Sequence, residues 1–207
     1  MRRIFGTLLV VMTAIVLTGE LTAEVANVDA ALPPGVRSGE RVRWAPREIE
    51  TLVRAIRAEG AGHVEAAELA QIVHSESRAL HVDPLYALAL IKIESNFQAN
   101  AVSNHGAVGL LQVRPLAALA VARPPDHAAR LCDPRTNVAV GLRYLQQLEQ
   151  QFSDHTMALA AYNIGPTQVR RHIARGTPVP RSYTDRVLAT YRAFAADRDA
   201  TAVPADG

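Results

Sequence analysis

One cysteine, Cys132, stands in the whole chain, so no intrachain disulfide can brace it and the fold must rest on a packed core. The seven histidines are scattered, with no paired spacing of the H-E-x-x-H kind and no Cys/His/Asp/Glu constellation at metal-ligand spacing. Neither metal nor cofactor is therefore expected. Aromatic residues are scarce at 5%, while alanine is abundant, which favours helices over a sandwich or barrel. Lysine occurs once, at Lys92, and the remaining basic residues are arginines. The formal charge of +2 is too small and too dispersed for a nucleic-acid partner, though it is compatible with an anionic polymer. What is present is enough for a core: 49% of the residues are apolar and 20% charged, the balance of an ordinary folded domain.

The chain divides into four stretches. Residues 1–30 have the form of a secretory leader, with Arg2-Arg3 followed by an apolar run over residues 4–17 that is broken only by Gly6, Thr7 and Thr13. Small residues follow, and Val28-Asp29-Ala30 offers a cleavage point after Ala30, with Ala23 as another. The run is short for a membrane span of about 20 residues, although a retained N-terminal anchor is the alternative. Export to the periplasm or cell envelope is the implication. Residues 31–45, with Pro33-Pro34-Gly35 and Trp44, form a linker, residues 46–197 one helical domain, and residues 198–207 a disordered tail.

Within the domain the periodicity is helical throughout and no strand emerges, so the fold class is all-α. Ile49, Leu52, Val53 and Ile56 give a first helix ending near Gly60, and residues 63–77 a second. Glu65, Glu68 and Glu76 are expected to be solvated. Asp83-Pro84 starts a third helix, running to Ser95, that is apolar nearly all round and hence buried. A short helix over residues 115–122, a loop over 123–131, and helices over 137–152, 155–163, 169–173 and 181–196 follow.

Residues 87–112 organise this domain. Glu94 ends the buried helix on the stripe of Ala87, Leu90 and Ile91, and a polar, glycine-containing turn leads to Gly109-Leu110-Leu111-Gln112. Burial and a helix C-terminus both disfavour the charged carboxylate, so Glu94 has the setting of a general acid. No further acid follows until Asp126, although glycoside cleavage commonly uses two carboxylates; one suffices where the substrate assists. The alternative role for Glu94 is a rim glutamate paired with an arginine.

Four ordered blocks sharpen this. They are Ile93-Glu94-Ser95-Asn96-Phe97 with Ala101-Val102-Ser103; Gly106-Ala107-Val108-Gly109-Leu110-Leu111-Gln112-Val113 with Pro115; Asn137 with Gly141-Leu142-Arg143-Tyr144-Leu145; and Ala158-Leu159-Ala160-Ala161-Tyr162-Asn163-Ile164-Gly165-Pro166. Together they closely resemble the soluble lytic transglycosylase (SLT) family, with its goose-type lysozyme-like fold. The resemblance implies cleavage of the β-1,4 bond between N-acetylmuramic acid and N-acetylglucosamine in peptidoglycan strands. Glu94 would act first as acid and then as base, and the products would be 1,6-anhydromuramic. Lysozyme-type hydrolysis and a non-catalytic wall-binding role are the alternatives.

The resemblance carries over Ser95, Ser103, Gln112, Tyr162 and Asn163 as substrate-binding residues, with the Tyr162 hydroxyl close to Glu94. Helix capping or backbone satisfaction is the alternative for Ser95 and Gln112, and a core position for Tyr162. Tyr183 falls where the family often has a late tyrosine, and Gly106 and Gly109 read as backbone-geometry residues. The family usually has Met where Leu111 and Arg114 stand. A monomer is expected, serving wall turnover or opening the wall for a secretion, conjugation or flagellar apparatus.

Overall fold

The computed structural model of the chain describes residues 47–60, 63–121, 130–152 and 154–202. The expected leader, the linker and most of the 123–131 loop lie outside the described residues. Among the described residues the elements are α1 (Glu48–Ala58), α2 (His63–Leu80), α3 (Pro84–Ser95), α4 (Pro115–Val121), α5 (Pro134–Phe152), α6 (His155–Ile164), α7 (Pro166–Arg175) and α8 (Ser182–Ala202). There is no strand among them. The only β-type pairing there is a pair of isolated bridges, Val102 with Val108 and Val108 with Val113.

The centre of the domain is α3. Its start is set by Asp83, whose side chain accepts a hydrogen bond from the Leu85 N–H at 2.8 Å, with Pro84 at the first helical position. Every residue from Pro84 to Ile91 is buried, so this helix has no solvent face to satisfy. It packs between α2 and α8. Leu88, Leu90 and Ile91 are fully enclosed, each burial contributing about 1.5–3 kcal/mol. Asp83 is itself buried and also receives the Tyr191 hydroxyl at 2.7 Å, which ties the start of α3 to α8. At the other end Asn96 and Phe97 both adopt left-handed backbone, with φ of 51° and 65°, and the chain turns away directly after Ser95. Helix α5 packs on α2, α4 and α6, and a smaller apolar cluster of Leu148, Ala158, Ala160, Ala161 and Val169 joins α5, α6 and α7.

Three expectations are corrected here. Helix α2 runs past Ser77 to Leu80, because Ser77 is buried and the Gln146 side-chain amide caps the Leu80 carbonyl at 2.7 Å. Glu76 is not solvated: it forms an ion pair with Arg135 at 2.6 Å, its side chain only 16% exposed. Residues 198–202 are helical, not part of a disordered tail, because α8 is held to α1 through Arg54, which donates to Asp197 at 3.1 Å and Thr201 at 2.8 Å.

A buried amide joins the 101–113 loop to α5. The Asn137 side chain donates to the Val108 carbonyl at 2.8 Å and the Leu131 carbonyl at 2.9 Å, and accepts from the Leu111 N–H at 2.8 Å. Asn137→Ala strands three backbone groups in the interior, each costing about 1–3 kcal/mol when unsatisfied. Urea unfolding of this variant should show a loss of about 3 kcal/mol or more, with the denaturant slope unchanged.

Candidate active site

Glu94 occupies the last turn of α3, where the apolar helix meets the polar turn. It lines a cleft of about 210 Å³ together with Ser103, Gln112, Arg114, Tyr144, Tyr162 and Asn163. The wall opposite α3 is the 101–113 loop, closed by the Val108–Val113 pair (N–H to O at 3.0 and 3.1 Å) and by the Gly109 N–H on the Ala101 carbonyl at 2.8 Å. Gly109 has φ +78°, and a Cβ there would lie 2.3 Å from Asn137 Nδ2, so this position admits only glycine. Gly141 on α5 is required for a different reason. A Cβ would come within 2.6 Å of the Leu111 side chain and 3.1 Å of the Tyr162 hydroxyl.

The acid is held in a balance of opposing effects. Loss of hydration on burial pushes Glu94 up to about 7, while the hydrogen bond from Tyr183 and the positive charge of Arg186 act the other way. The Tyr183 hydroxyl donates to Glu94 Oε1 at 2.5 Å. Tyr183 is buried on α8, and burial together with the neighbouring Glu94 keeps its hydroxyl protonated. The same causes, in the same order, hold the Tyr162 proton.

The structure brings together Glu94, Ser103, Gln112, Tyr162 and Asn163 on one cleft, with different tasks among them. Ser103 accepts the N–H groups of His105 (3.3 Å) and Ala107 (3.0 Å), shaping the loop tip. Gln112 donates its side-chain N–H to the carbonyls of Ala101 (3.2 Å) and Gly109 (3.0 Å), which leaves its amide oxygen for a ligand. Asn163 is exposed at the rim. Tyr162 packs its ring against Tyr144, centroids 5.6 Å apart, but its hydroxyl goes to the Leu111 carbonyl at 2.8 Å and not to Glu94. The phenol hydrogen-bonded to the acid is Tyr183. Ser95 lies outside the cleft lining: it is 8% exposed, and its hydroxyl donates to the Ile91 carbonyl at 3.2 Å within the helix. That bond satisfies the hydroxyl on the backbone of its own helix. Tyr144 escaped sequence reasoning as a wall residue, and its spacing three residues after Gly141 was the available signal.

An all-α domain with one acid at the end of a buried helix, walled by phenols and amides, defines a class of site suited to general acid chemistry. The chain belongs to the transglycosylase SLT domain family, whose model matches residues 71–180. It is 36% identical over 100 residues to the soluble lytic murein transglycosylase of Salmonella typhimurium, a match covering 45% of this chain and 16% of the relative. Over 91 residues it is 37% identical to the enzyme of the same name from Escherichia coli K12, covering 41% and 14%. The chain thus matches only a small part of these much longer relatives. In architecture it is similar to an inactive mutant of the lytic transglycosylase Slt from Pseudomonas aeruginosa (TM-score 0.55, 22% identity, 88% of this chain and 34% of that one). It is similar also to the 70 kDa soluble lytic transglycosylase of Escherichia coli (TM-score 0.55, 24% identity, 85% and 34%). The lysozyme-like all-α fold is shared with both.

Two measurements test the balance at Glu94. Because the Tyr183 hydrogen bond lowers the carboxyl pKa, Tyr183→Phe should move the carbon-13 NMR titration midpoint of Glu94 to a value above that of the wild type; an unchanged or lower midpoint would contradict this. The second concerns stability. A carboxyl raised on folding contributes stability below its unfolded value, near 4.5, that is lost as pH rises through about 7. The melting temperature of Glu94→Gln should therefore gain on the wild type between those two pH values and hold a constant gap above them.

Proposed function

We propose that this domain is a peptidoglycan lytic transglycosylase that cleaves the β-1,4 bond between N-acetylmuramic acid and N-acetylglucosamine with Glu94 as acid and then base. The observation that carries this is the state of Glu94: a carboxyl poised near neutrality, hydrogen-bonded by Tyr183, at the head of a cleft whose other described walls hold no carboxylate. Family membership supports the same reading, as do the two relatives named soluble lytic murein transglycosylase.

In the first step protonated Glu94 donates to the bridging oxygen as the bond from C1 breaks, and the N-acetylglucosamine end leaves as an alcohol. The muramyl N-acetyl oxygen stabilises the cationic C1. Glu94, now a carboxylate, takes the proton of the muramyl C6 hydroxyl as that oxygen bonds C1, closing a 1,6-anhydro ring. The acid is regenerated and water is not consumed. Tyr183 holds the carboxyl in place through both steps, and its donated hydrogen bond favours the carboxylate that appears after the first. The amide oxygen of Gln112, with Asn163 and Ser103, orients the sugars. The leader-like residues 1–30 support delivery to the envelope, where this polymer lies.

Digestion of purified sacculi followed by mass spectrometry tests the reading. Wild type should release muropeptides with anhydromuramic ends, and Glu94→Gln should be slower by about 10²–10⁴-fold. Release of reducing muramic ends would show that water is the nucleophile, and undiminished release by Glu94→Gln would remove the acid's role altogether. Because the first step requires the protonated acid, activity should decline as pH rises through about 7.

A further inference from the structure

The cleft carries an unbalanced charge at its mouth. Arg114 is exposed and lines the cleft beside Gln112, Ala117 and Tyr144. No side-chain hydrogen bond or ion pair ties it to another described residue. Its backbone is nonetheless fixed. Val113 before it is paired with Val108, Pro115 after it restricts its conformation, and its carbonyl accepts the Ala118 N–H at 3.0 Å to start α4. The guanidinium is thus carried on a fixed stretch of backbone at the lining of the cleft. The positive charge already acts on the phenol opposite, since Arg114 opposes the upward push that burial exerts on Tyr144. Glu94, the only acid among the described lining residues, is protonated over much of the range below neutrality and supplies little charge to offset it. The resembling family usually has methionine at this position. A cation on a fixed backbone, without a partner among the described residues, is suited to a partner on the ligand, and a guanidinium matches a carboxylate with two parallel hydrogen bonds.

We propose that Arg114 is a specificity-determining residue that binds a carboxylate carried by the muramyl unit of the bound strand, so that the cleft prefers charged over neutral glycan. This rests on the reading of the cleft as a peptidoglycan site. Two parts of the polymer present that chemistry: the lactyl carboxylate of muramic acid freed of peptide, and the carboxylates of an attached stem peptide.

The test compares wild type, Arg114→Met and Arg114→Lys on three strands: peptide-bearing; stripped by an amidase to free the lactyl carboxylate; and stripped with that carboxylate converted to a methylamide. On the charged strand that uses the contact, Arg114→Met should raise KM by about threefold to tenfold while kcat stays within about twofold, with Arg114→Lys intermediate. On the methylamide strand wild type and variants should coincide. Added salt should raise the wild-type KM on the charged strand and leave that of Arg114→Met nearly flat. An effect confined to peptide-bearing strands assigns the stem carboxylate, and one confined to stripped strands the lactyl group. If Arg114→Met matches wild type on both charged strands, or loses equally on the neutral one, the proposal is overturned while the transglycosylase reading stands. A wild type that yields no anhydro product from any strand overturns that reading and this proposal together.

Discussion

The buried side-chain amide of Asn137 is the interaction from which the cleft takes its shape. It is fully enclosed, and its three hydrogen bonds go to backbone groups of Val108, Leu111 and Leu131. A buried amide is costly unless satisfied, so the loop can lie against α5 only in the register that provides those partners. Gly109 follows from this, because a side chain there would collide with the amide. Gly141 lies one helical turn further along α5 and gives Leu111 room to pack. The Leu111 carbonyl then receives the Tyr162 hydroxyl, which docks α6. Loop, α5 and α6 are thereby set relative to one another by a polar network inside an apolar core.

On the facing side, helix α3 supplies the opposite environment. Its burial strips water from Glu94 and favours the protonated acid, whereas Tyr183 and Arg186 favour the carboxylate. In the proposed mechanism, where Glu94 gives a proton and takes one back, this opposition leaves neither form strongly preferred near neutrality. Tyr183 comes from α8, the helix that packs along α3 and is tied to its start through Tyr191 and Asp83. The acid and the phenol that holds it are therefore positioned by one helix pair.

Local signals were the legible ones. Asp83-Pro84 starts α3 as its sequence predicts, and Asp154 caps α6 in the same way, accepting the Thr156 and Met157 N–H groups. The all-round apolar pattern of α3 announced a buried helix and put Glu94 at its end. What the sequence did not show depends on contacts remote along the chain. Tyr183 reaches Glu94 across 89 residues, and no periodicity ranks it above Tyr162 for that place. The extra turns of α2 and α8 exist because Gln146 and Arg54 meet them from other helices. Ser95 is carried over by the resemblance as a substrate-binding residue, but neighbouring helical residues point about 100° apart, and its hydroxyl turns back to the Ile91 carbonyl.

The distribution of groups around Glu94 also bears on the choice of nucleophile. Hydrolysis with inversion needs a second carboxylate to activate water across the sugar ring, and the covalent route needs one to attack C1. The described walls around Glu94 instead present Gln112, Tyr144, Tyr162 and Asn163. The amides cannot accept a proton at ordinary pH. The two phenols keep theirs, because burial raises both above the usual phenol range. Within these walls the carboxylate that Glu94 becomes on donating its own proton, and the His105 imidazole, are the groups able to take up another. In the proposed mechanism the nucleophile is the C6 hydroxyl of the cleaved residue, which the substrate carries with it and whose proton would face Glu94 on the side of the departing sugar; that route calls for no second carboxylate.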